Sequence, residues 1–326
     1  MFLDNEQIKS AVFGALLTKT DGSGVEFLRM NEKQAKAFAL CSPDFEKKAY
    51  ATASVMLDFY TDSEFFAFSY TDATEAASRP WYYFDVLVNG EAVAKTGEET
   101  ASARCGSLRV ALPNGTNRVT LCFPALFKAK LVYAELSDGA SFQPVKKSVR
   151  ALFCGDSITQ GYDAKSPSES YVNRIALKKN WEAVNFAVGG ACFDERAVTD
   201  AHAEANARLV FVSYGTNDWS EKTPQAFSND CKAFFKALNG FCADKPVFVI
   251  LPIWRSNLTD AAKTESFHWA RAEIKSIAGA YPNVRFVDLW EDIPHDVALY
   301  SDGLHPNGKG FAYYADGVLA QIEKYL

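Results

Sequence analysis

The chain has 326 residues, 48% of them hydrophobic and 23% charged, and its formal net charge at pH 7 is −6. The length is comfortable for two domains, and the composition is that of a globular protein with a sizeable core, which excludes a disordered or fibrous chain. Because nucleic acids and anionic membranes are bound through basic stripes, and this acidic chain has only short basic clusters, we expect neither as a partner.

The N-terminal segment lacks the pattern of a signal peptide or a membrane anchor. Ala11–Leu17 is apolar but far shorter than the roughly 20 residues needed to span a bilayer. Asp4 and Glu6 precede it, where a signal peptide would carry positive charge. We therefore predict a cytoplasmic protein. A secreted mature form whose signal was replaced by a new Met1 is the alternative that the sequence leaves open.

Seven cysteines are present in the chain. None of them forms a C-x-x-C pair, and most lie within apolar runs, where a free cysteine packs as a small hydrophobe. We predict a reducing compartment, no disulfide framework and no metal site.

The first half of the chain has the pattern of a β-sandwich, jelly-roll-like in type. A short helix is predicted near Asn31–Lys47, and closely spaced strand segments with turn signals follow it. Asn89-Gly90 accepts the positive φ angles of a tight hairpin turn. The seven predicted strands are Ser54–Tyr60, Glu64–Tyr70, Tyr82–Val88, Glu91–Lys95, Gly106–Leu112, Asn117–Phe123 and Lys130–Leu136.

In the second half, apolar strands alternate with helical segments. This alternation predicts a parallel sheet covered by helices on both faces. We place the boundary near residues 143–148, which divides the chain into domains of residues 1–146 and 147–326. The five predicted strands are Val149–Cys154, Ala183–Ala187, Arg208–Tyr214, Pro246–Leu251 and Val284–Leu289.

Polar, glycine-containing segments follow four of these five strands. In chain order they read G-D-S-I-T at 155–159, V-G-G at 188–190, G-T-N-D at 215–218 and S-D-G-L-H-P-N at 301–307. Ligands bind beyond the carboxyl ends of the strands in open parallel sheets. The four segments are therefore expected to meet at one edge of the sheet.

The residue types in these segments suit acyl transfer. A serine hydroxyl becomes an effective nucleophile when a base removes its proton. We expect His305 to act on Ser157 in this way, with Asp302, three residues before the histidine, orienting the imidazole. The oxyanion needs hydrogen-bond donors, and the candidates are the backbone N–H groups of Ser157 and Gly190 and the side-chain amide of Asn217.

At this point the chain resembles the SGNH hydrolase superfamily, also called GDSL esterases, over roughly residues 149–326. The resemblance implies a flavodoxin-like α/β/α fold, metal-free hydrolysis without a cofactor, and ester or thioester substrates. Ser157 matches the nucleophile of the G-D-S block, Gly190 the glycine of the second block, Asn217 the asparagine of G-x-N-D, and Asp302 and His305 the D-x-x-H pair.

Two departures from the family pattern bear on these assignments. Gly189 doubles the second-block glycine, so the oxyanion glycine is uncertain by one residue, and Trp219 directly follows the G-x-N-D block. The G-x-S-x-G pattern is absent around Ser157, which disfavours the α/β-hydrolase fold. The β-rich half followed by an SGNH-like half also resembles the layout of family 2 carbohydrate esterases.

Other residues near the strand ends have less specific patterns. Trp219, Trp254 and Arg255 are candidates for the wall of an acyl or alcohol pocket, with packing at the edge of the core as an equally weighted alternative. His295 is the other histidine near the last loop and is therefore the alternative candidate for the catalytic base. Trp81-Tyr82-Tyr83-Phe84 is a candidate sugar-stacking patch, although alternation favours core packing.

We therefore expect a serine esterase, and the resemblance to family 2 carbohydrate esterases implies that it removes a short acyl group, such as acetate, from a small-molecule or oligosaccharide ester. A lysophospholipase or thioesterase of the same superfamily is one alternative. A carbohydrate-binding protein without catalytic activity is the other. The sequence leaves the oligomeric state open.

Overall fold

The computed structural model describes residues 1–100 and 102–326, and its first half is built from two antiparallel sheets. One sheet has the order β2-β3-β10-β5-β8 and the other β1-β4-β9-β6-β7, with β11 pairing β4. Their strands are β1 (Val12–Phe13), β2 (Leu17–Asp21), β3 (Gly24–Leu28), β4 (Met56–Thr61), β5 (Phe65–Glu75), β6 (Tyr82–Val88), β7 (Glu91–Glu98), β8 (Gly106–Ala111), β9 (Asn117–Cys122), β10 (Phe127–Leu136) and β11 (Gln143–Pro144).

The two sheets enclose an aromatic core. Tyr82 and Phe84 of β6 point into this core, where Phe84 lies 4.5 Å, centroid to centroid, from Tyr70. Their neighbour Tyr83 is half-buried on the other face of the strand. The alternation in this strand therefore directs successive side chains to opposite faces of the sheet, as the period of two predicts.

The predicted helix near Asn31–Lys47 is two helices, so that prediction was wrong. The helices are α2 (Glu32–Cys41) and α3 (Pro43–Ala49), and they meet at Ser42, which is extended with φ −158°. Proline disfavours helical angles at the residue before it, so Pro43 ends one helix and begins the next. A further short helix, α1 (Asn5–Ala11), and strands β1 to β3 and β11 were not predicted.

The second half is a parallel five-stranded sheet with the order β13-β12-β14-β15-β16, as expected for an SGNH-like domain. Each strand lies within about two residues of its predicted bounds, the usual uncertainty of element ends. The strands are β12 (Arg150–Gly155), β13 (Glu182–Asn185), β14 (Leu209–Ser213), β15 (Val247–Ile250) and β16 (Val284–Val287).

Helices cover both faces of this sheet, which gives three layers. Phe153, Phe211 and Phe248 of adjacent strands stack on one face, against α5 and α10. On the other face α2, α8 and α9 pack against apolar side chains of the same strands. The helices of this half are α4 (Ser157–Gln160), α5 (Tyr171–Lys179), α6 (Ala201–Glu204), α7 (Thr216–Glu221), α8 (Pro224–Cys242), α9 (Ala261–Ala278) and α10 (Gly308–Ile322).

A buried arginine joins the two halves. Arg29, which follows β3, is 1% exposed and donates hydrogen bonds to the carbonyls of Lys48, Ala51, Asn185 and Ala187. Burial lowers the pKa of its guanidinium to about 9. Because Asn185 ends β13, this side chain holds the first half against the carboxyl edge of the parallel sheet.

Among the described helices, none is both long enough and apolar enough to cross a membrane.

Candidate active site

Ser157 is the first residue of α4 and lies directly beyond the carboxyl end of β12. Asp156 caps this short helix, because its carboxylate accepts the backbone N–H of Ile158 at 2.9 Å. Gly161, with φ 101°, ends the helix after one turn. The sharp strand-to-helix turn leaves the Ser157 hydroxyl at the edge of the sheet, 5% exposed.

Asp302 and His305 lie on one turn of the loop that precedes α10. One oxygen of Asp302, Oδ1, accepts the backbone N–H groups of Leu304 and His305 at 3.0 and 2.8 Å. Gly303 has φ 80°, and a Cβ at this position would lie 1.9 Å from Ser256 Oγ. A glycine is therefore required for the turn that brings the carboxylate beside the imidazole.

The three side chains form a continuous hydrogen-bonded series. Ser157 Oγ lies 2.7 Å from His305 Nε2, and His305 Nδ1 lies 2.7 Å from Asp302 Oδ2. Burial raises the pKa of Asp302, but hydrogen bonds from the His305 backbone and imidazole outweigh it and lower the pKa to about 2. This geometry suits a carboxylate that orients an imidazole, which in turn accepts the serine proton.

A second carboxylate and an arginine complete the cluster, and sequence reasoning missed both. Asp163 Oδ2 lies 3.7 Å from His305 Nδ1. Arg79, from the loop between β5 and β6, binds Asp163 through two hydrogen bonds and donates a third to Asp302 Oδ2. Tyr162 stacks on the imidazole with ring centroids 5.4 Å apart. Neither Arg79 nor Asp163 lies in a motif, so no sequence signal marks them.

Three ligand-type groups converge in this cluster. Donor atoms of Asp163, Asp302 and His305 all lie within 4.8 Å of one another, close enough to hold a metal ion. The guanidinium of Arg79 already bonds to both carboxylates. The arrangement is therefore that of two carboxylates bridged by one internal cation.

The candidate oxyanion donors follow the carboxyl ends of β12, β13 and β14. Within the described residues, the backbone N–H groups of Ser157 and Gly190 donate to no protein acceptor, whereas that of Gly189 donates to Gln160 Oε1 at 2.8 Å. Gly190 has φ 87°. Asn217 Nδ2 donates one hydrogen to the Ala191 carbonyl at 3.1 Å, and a primary amide carries a second hydrogen.

Asp156 and Asp218 are buried carboxylates that organise these loops. Burial raises the pKa of Asp156 to about 7. Burial also raises the pKa of Asp218, although its carboxylate accepts hydrogen bonds from Lys222 and from the backbone N–H of Phe193. Both side chains accept hydrogen bonds from the loop backbone and so hold these loops in place.

Trp219, Trp254 and Arg255 follow the carboxyl ends of β14 and β15 and are half-buried. The Arg255 guanidinium lies 5.3 Å above the Trp219 ring, and Trp254 stacks parallel to His295 with centroids 5.4 Å apart. His295 Nε2 lies 2.9 Å from the Trp290 carbonyl. The structure thus pairs Ser157 with His305 and engages His295 elsewhere.

A cavity of about 470 Å³ opens beside Gly190, between the corner of α2 and α3 and the loop after β13. Phe38, Phe45, Cys41 and Cys192 contribute to its lining, and the charged residues that also line it are Asp194, Arg196, Glu221, Lys222 and Asp230. A Cβ on Gly190 would lie 3.3 Å from the Phe45 ring. The first half of the chain therefore forms one wall of the space next to this candidate donor.

Residues 153–313 match the sequence model of the GDSL-like lipase/acylhydrolase family. None of the curated proteins matches the chain in sequence.

Three solved structures share the fold over nearly the whole chain. The salicylyl-acyltransferase SsfX3 from a tetracycline biosynthetic pathway is 19% identical, with a TM-score of 0.75, over 96% of this chain and 94% of that one. A family two carbohydrate esterase from Clostridium thermocellum, in complex with cellohexaose, is 14% identical, with a TM-score of 0.70, over 96% and 98%. An acetyl xylan esterase, Est2A, from the rumen bacterium Butyrivibrio proteoclasticus is 13% identical, with a TM-score of 0.67, over 100% and 98%.

Proposed function

Because residues 153–313 match the sequence model of the GDSL-like lipase/acylhydrolase family, we propose that the chain is an ester hydrolase that works through an acyl-enzyme on Ser157. The observation that supports this proposal is the unbroken series from the Ser157 hydroxyl through His305 to Asp302, with both joining distances at 2.7 Å. A histidine whose Nδ1 is held by a carboxylate presents a basic Nε2 to the serine.

The reaction has two halves. Ser157 Oγ attacks the ester carbonyl while His305 Nε2 takes its proton, and the tetrahedral oxyanion is stabilised by the Ser157 and Gly190 N–H groups and the Asn217 amide. The protonated imidazole then gives its proton to the leaving alcohol, which departs. In the second half, His305 activates a water molecule that hydrolyses the acyl-enzyme and releases the acid.

We assign Gly190 rather than Gly189 to the oxyanion. The Gly189 N–H is engaged by Gln160, whereas the Gly190 N–H has no acceptor among the described residues. An oxyanion donor has to be free in the ground state so that it can bond the developing charge.

For the substrate, we propose a short acyl ester, an acetate above all, on a small molecule or oligosaccharide. The shared two-part layout with an acetyl xylan esterase and a carbohydrate esterase supports this choice. Trp219 and Trp254, half-buried near the sheet edge, are the aromatic surfaces that a sugar ring would contact. A cytoplasmic location would make imported, partly degraded oligosaccharides the natural substrates.

The cavity beside Gly190 favours a second candidate, hydrolysis of longer acyl esters or thioesters. Its volume of about 470 Å³ is much larger than an acetyl group requires. Cys192 lies on its wall and is partly exposed, so a large side chain at this position would reduce the volume.

Rates on p-nitrophenyl esters from acetate to octanoate, together with a screen of acetylated oligosaccharides, test both candidates. We expect kcat/KM to be highest for acetate and Ser157→Ala to lower kcat by about 10³-fold or more. A preference for octanoate that Cys192→Trp abolishes would select the second candidate. Turnover of Ser157→Ala within tenfold of the wild type, or no labelling of Ser157 by a fluorophosphonate, would reject the acyl-enzyme proposal.

A further inference from the structure

The β-sandwich contributes a side chain to the candidate active site. Arg79 lies in the loop between β5 and β6, 223 residues before Asp302 in the chain, and its side chain is 21% exposed. Nε and Nη2 bond Asp163 at 2.8 and 2.9 Å, and Nη2 also bonds Asp302 at 3.1 Å. One planar guanidinium thus joins two carboxylates.

In a simple triad the carboxylate bonded to the histidine is the buried one, but here Asp302, which bonds His305, is more exposed than Asp163. The Asp302 side chain is 43% exposed, whereas the Asp163 side chain is 3% exposed and lies 3.7 Å from His305 Nδ1. Charges in the interior are screened less by water than exposed ones. Asp163 is therefore in a position to act on the imidazole through its charge, even though the hydrogen bond to Nδ1 is made by Asp302.

Asp163 has a backbone conformation that is uncommon for a residue other than glycine. Its φ of 65° lies in the left-handed region, directly after the α4 turn that carries Ser157. A non-glycine residue holds such a conformation when the surrounding contacts over-determine it. Here the contacts are the bidentate pair with Arg79, whose guanidinium also lies 5.3 Å from the Tyr162 ring that stacks on the imidazole.

We propose that Arg79 and Asp163 are positioning residues that set the charge and orientation of His305, so that the sandwich half completes the active site. With both carboxylates ionised and Arg79 protonated, the formal charge beside the imidazole is −1, the value that a single triad aspartate supplies. The inference rests on the mechanism proposed above.

The groups that face His305 come from four elements. Ser157, Tyr162 and Asp163 lie on α4 and the turn after it, Asp302 lies on the histidine's own loop, and Arg79 comes from the sandwich. Arg255, from the loop after β15, acts on Asp302 at longer range. Of these groups, Arg79 and Asp163 can be changed without removing the nucleophile, the base or its hydrogen-bonded carboxylate.

The two single variants are expected to shift the pH profile in opposite directions. Arg79→Gln leaves a local charge of −2, which favours the protonated imidazole, so the acidic limb of kcat/KM should move to higher pH by about one unit. Asp163→Asn leaves a local charge of zero, so the limb should move to lower pH. The double variant restores −1, and its limb should return close to that of the wild type.

Arg118 provides a matched control. It makes the same bidentate contact with a buried carboxylate, Asp58, and its side chain is 20% exposed, but it lies on β9 of the sandwich. Arg118→Gln should lower the melting temperature and leave the pH profile unchanged. Arg79→Lys keeps the positive charge but loses the bidentate geometry of the guanidinium, so the acidic limb of its pH profile should stay in place while kcat falls. It also serves as a second variant if Arg79→Gln does not fold.

The experiment measures kcat/KM for p-nitrophenyl acetate against pH for the full-length wild type and these variants. The His305 imidazole is titrated by NMR in parallel, its signal being identified by its loss in His305→Gln. The proposal would be overturned if the acidic limbs of the Arg79→Gln and Asp163→Asn profiles did not move, or moved in the same direction. It would also be overturned if the limb of Arg118→Gln moved as much as theirs. If the acyl-enzyme mechanism itself were wrong, the Ser157→Ala variant would remain active. The NMR titration of His305 would still test the roles of Arg79 and Asp163 in that case.

Discussion

The ammonium of Lys48, on α3, donates a hydrogen bond to the Gly189 carbonyl at 3.0 Å. Lys48 is 9% exposed and also pairs with Asp44 at 2.6 Å, one turn earlier on the same helix. The contact ties the N-terminal helical segment to the loop that presents Gly190. The position of that backbone donor therefore depends on Lys48, which lies 141 positions before Gly189 in the sequence.

Lys48→Met should lower kcat for p-nitrophenyl acetate by about tenfold and leave KM nearly unchanged. The substitution keeps the apolar stem but removes the donor that anchors the loop, and small displacements of a catalytic group cost large factors in rate. Lys47→Met, the same change at the exposed neighbouring residue, is the control. Equal activity of the two variants would mean that the loop does not need this anchor.

Asn217→Ala should lower kcat by about 10²- to 10³-fold with little change in KM, because it removes one donor to the oxyanion. The substituted side chain is 9% exposed and bonds Ala191, so circular dichroism should accompany the kinetics. Asn229→Ala, on the exposed face of α8, should retain full activity. An Asn217→Ala variant with activity within threefold of the wild type would remove this residue from the proposed oxyanion site.

Trp254→Ala should raise KM for an acetylated oligosaccharide by about fivefold, because an aromatic face provides a large rigid surface for an apolar sugar face. Turnover of p-nitrophenyl acetate, which lacks the sugar, should change little. Trp269→Ala is the matched control, since Trp269 is 38% exposed on α9 and packs against Phe227. Equal changes in the kinetics on the two substrates would indicate that Trp254 serves only to pack the core.

His202 should make the fold sensitive to acid. It is 3% exposed, packs edge-on against Phe186, and burial lowers its pKa from 6.5 to about 4. Between these values the unfolded chain binds a proton that the folded chain does not, so the free energy of unfolding falls as pH decreases from about 6.5 to 4, by at most roughly 3 kcal/mol. Melting temperatures from pH 7.5 to 4.5 should decline less in His202→Gln than in the wild type, and parallel curves would argue against this linkage.

Sequence reasoning succeeded where the signal is local. The five parallel strands follow from short apolar runs, and the turn at Gly303 follows from glycine chemistry. It failed at α2 and α3, where Pro43 interrupts the helical pattern, at β1, which has only two residues, and at β2, which is largely exposed and pairs with the strand β3, also not predicted.

In the candidate site, too, some assignments follow from local patterns and others need the tertiary structure. Ser157, Gly190, Asn217, Asp302 and His305 are proposed from the sequence alone, because each follows a strand end in a segment whose residue types suit acyl transfer. The choice between Gly189 and Gly190 needed hydrogen-bond partners, since neighbouring glycines have the same sequence signal.

The sequence by itself therefore determined the alternation of strands and helices in the second half and the residues proposed for acyl transfer, because periodicity and turn preference act over a few neighbouring residues. Only the tertiary structure decided that Arg79 reaches Asp163 and Asp302, and that Lys48 reaches Gly189. Contacts between residues this far apart in the chain depend on how the two halves pack, and a charged side chain has no local pattern that identifies its distant partner.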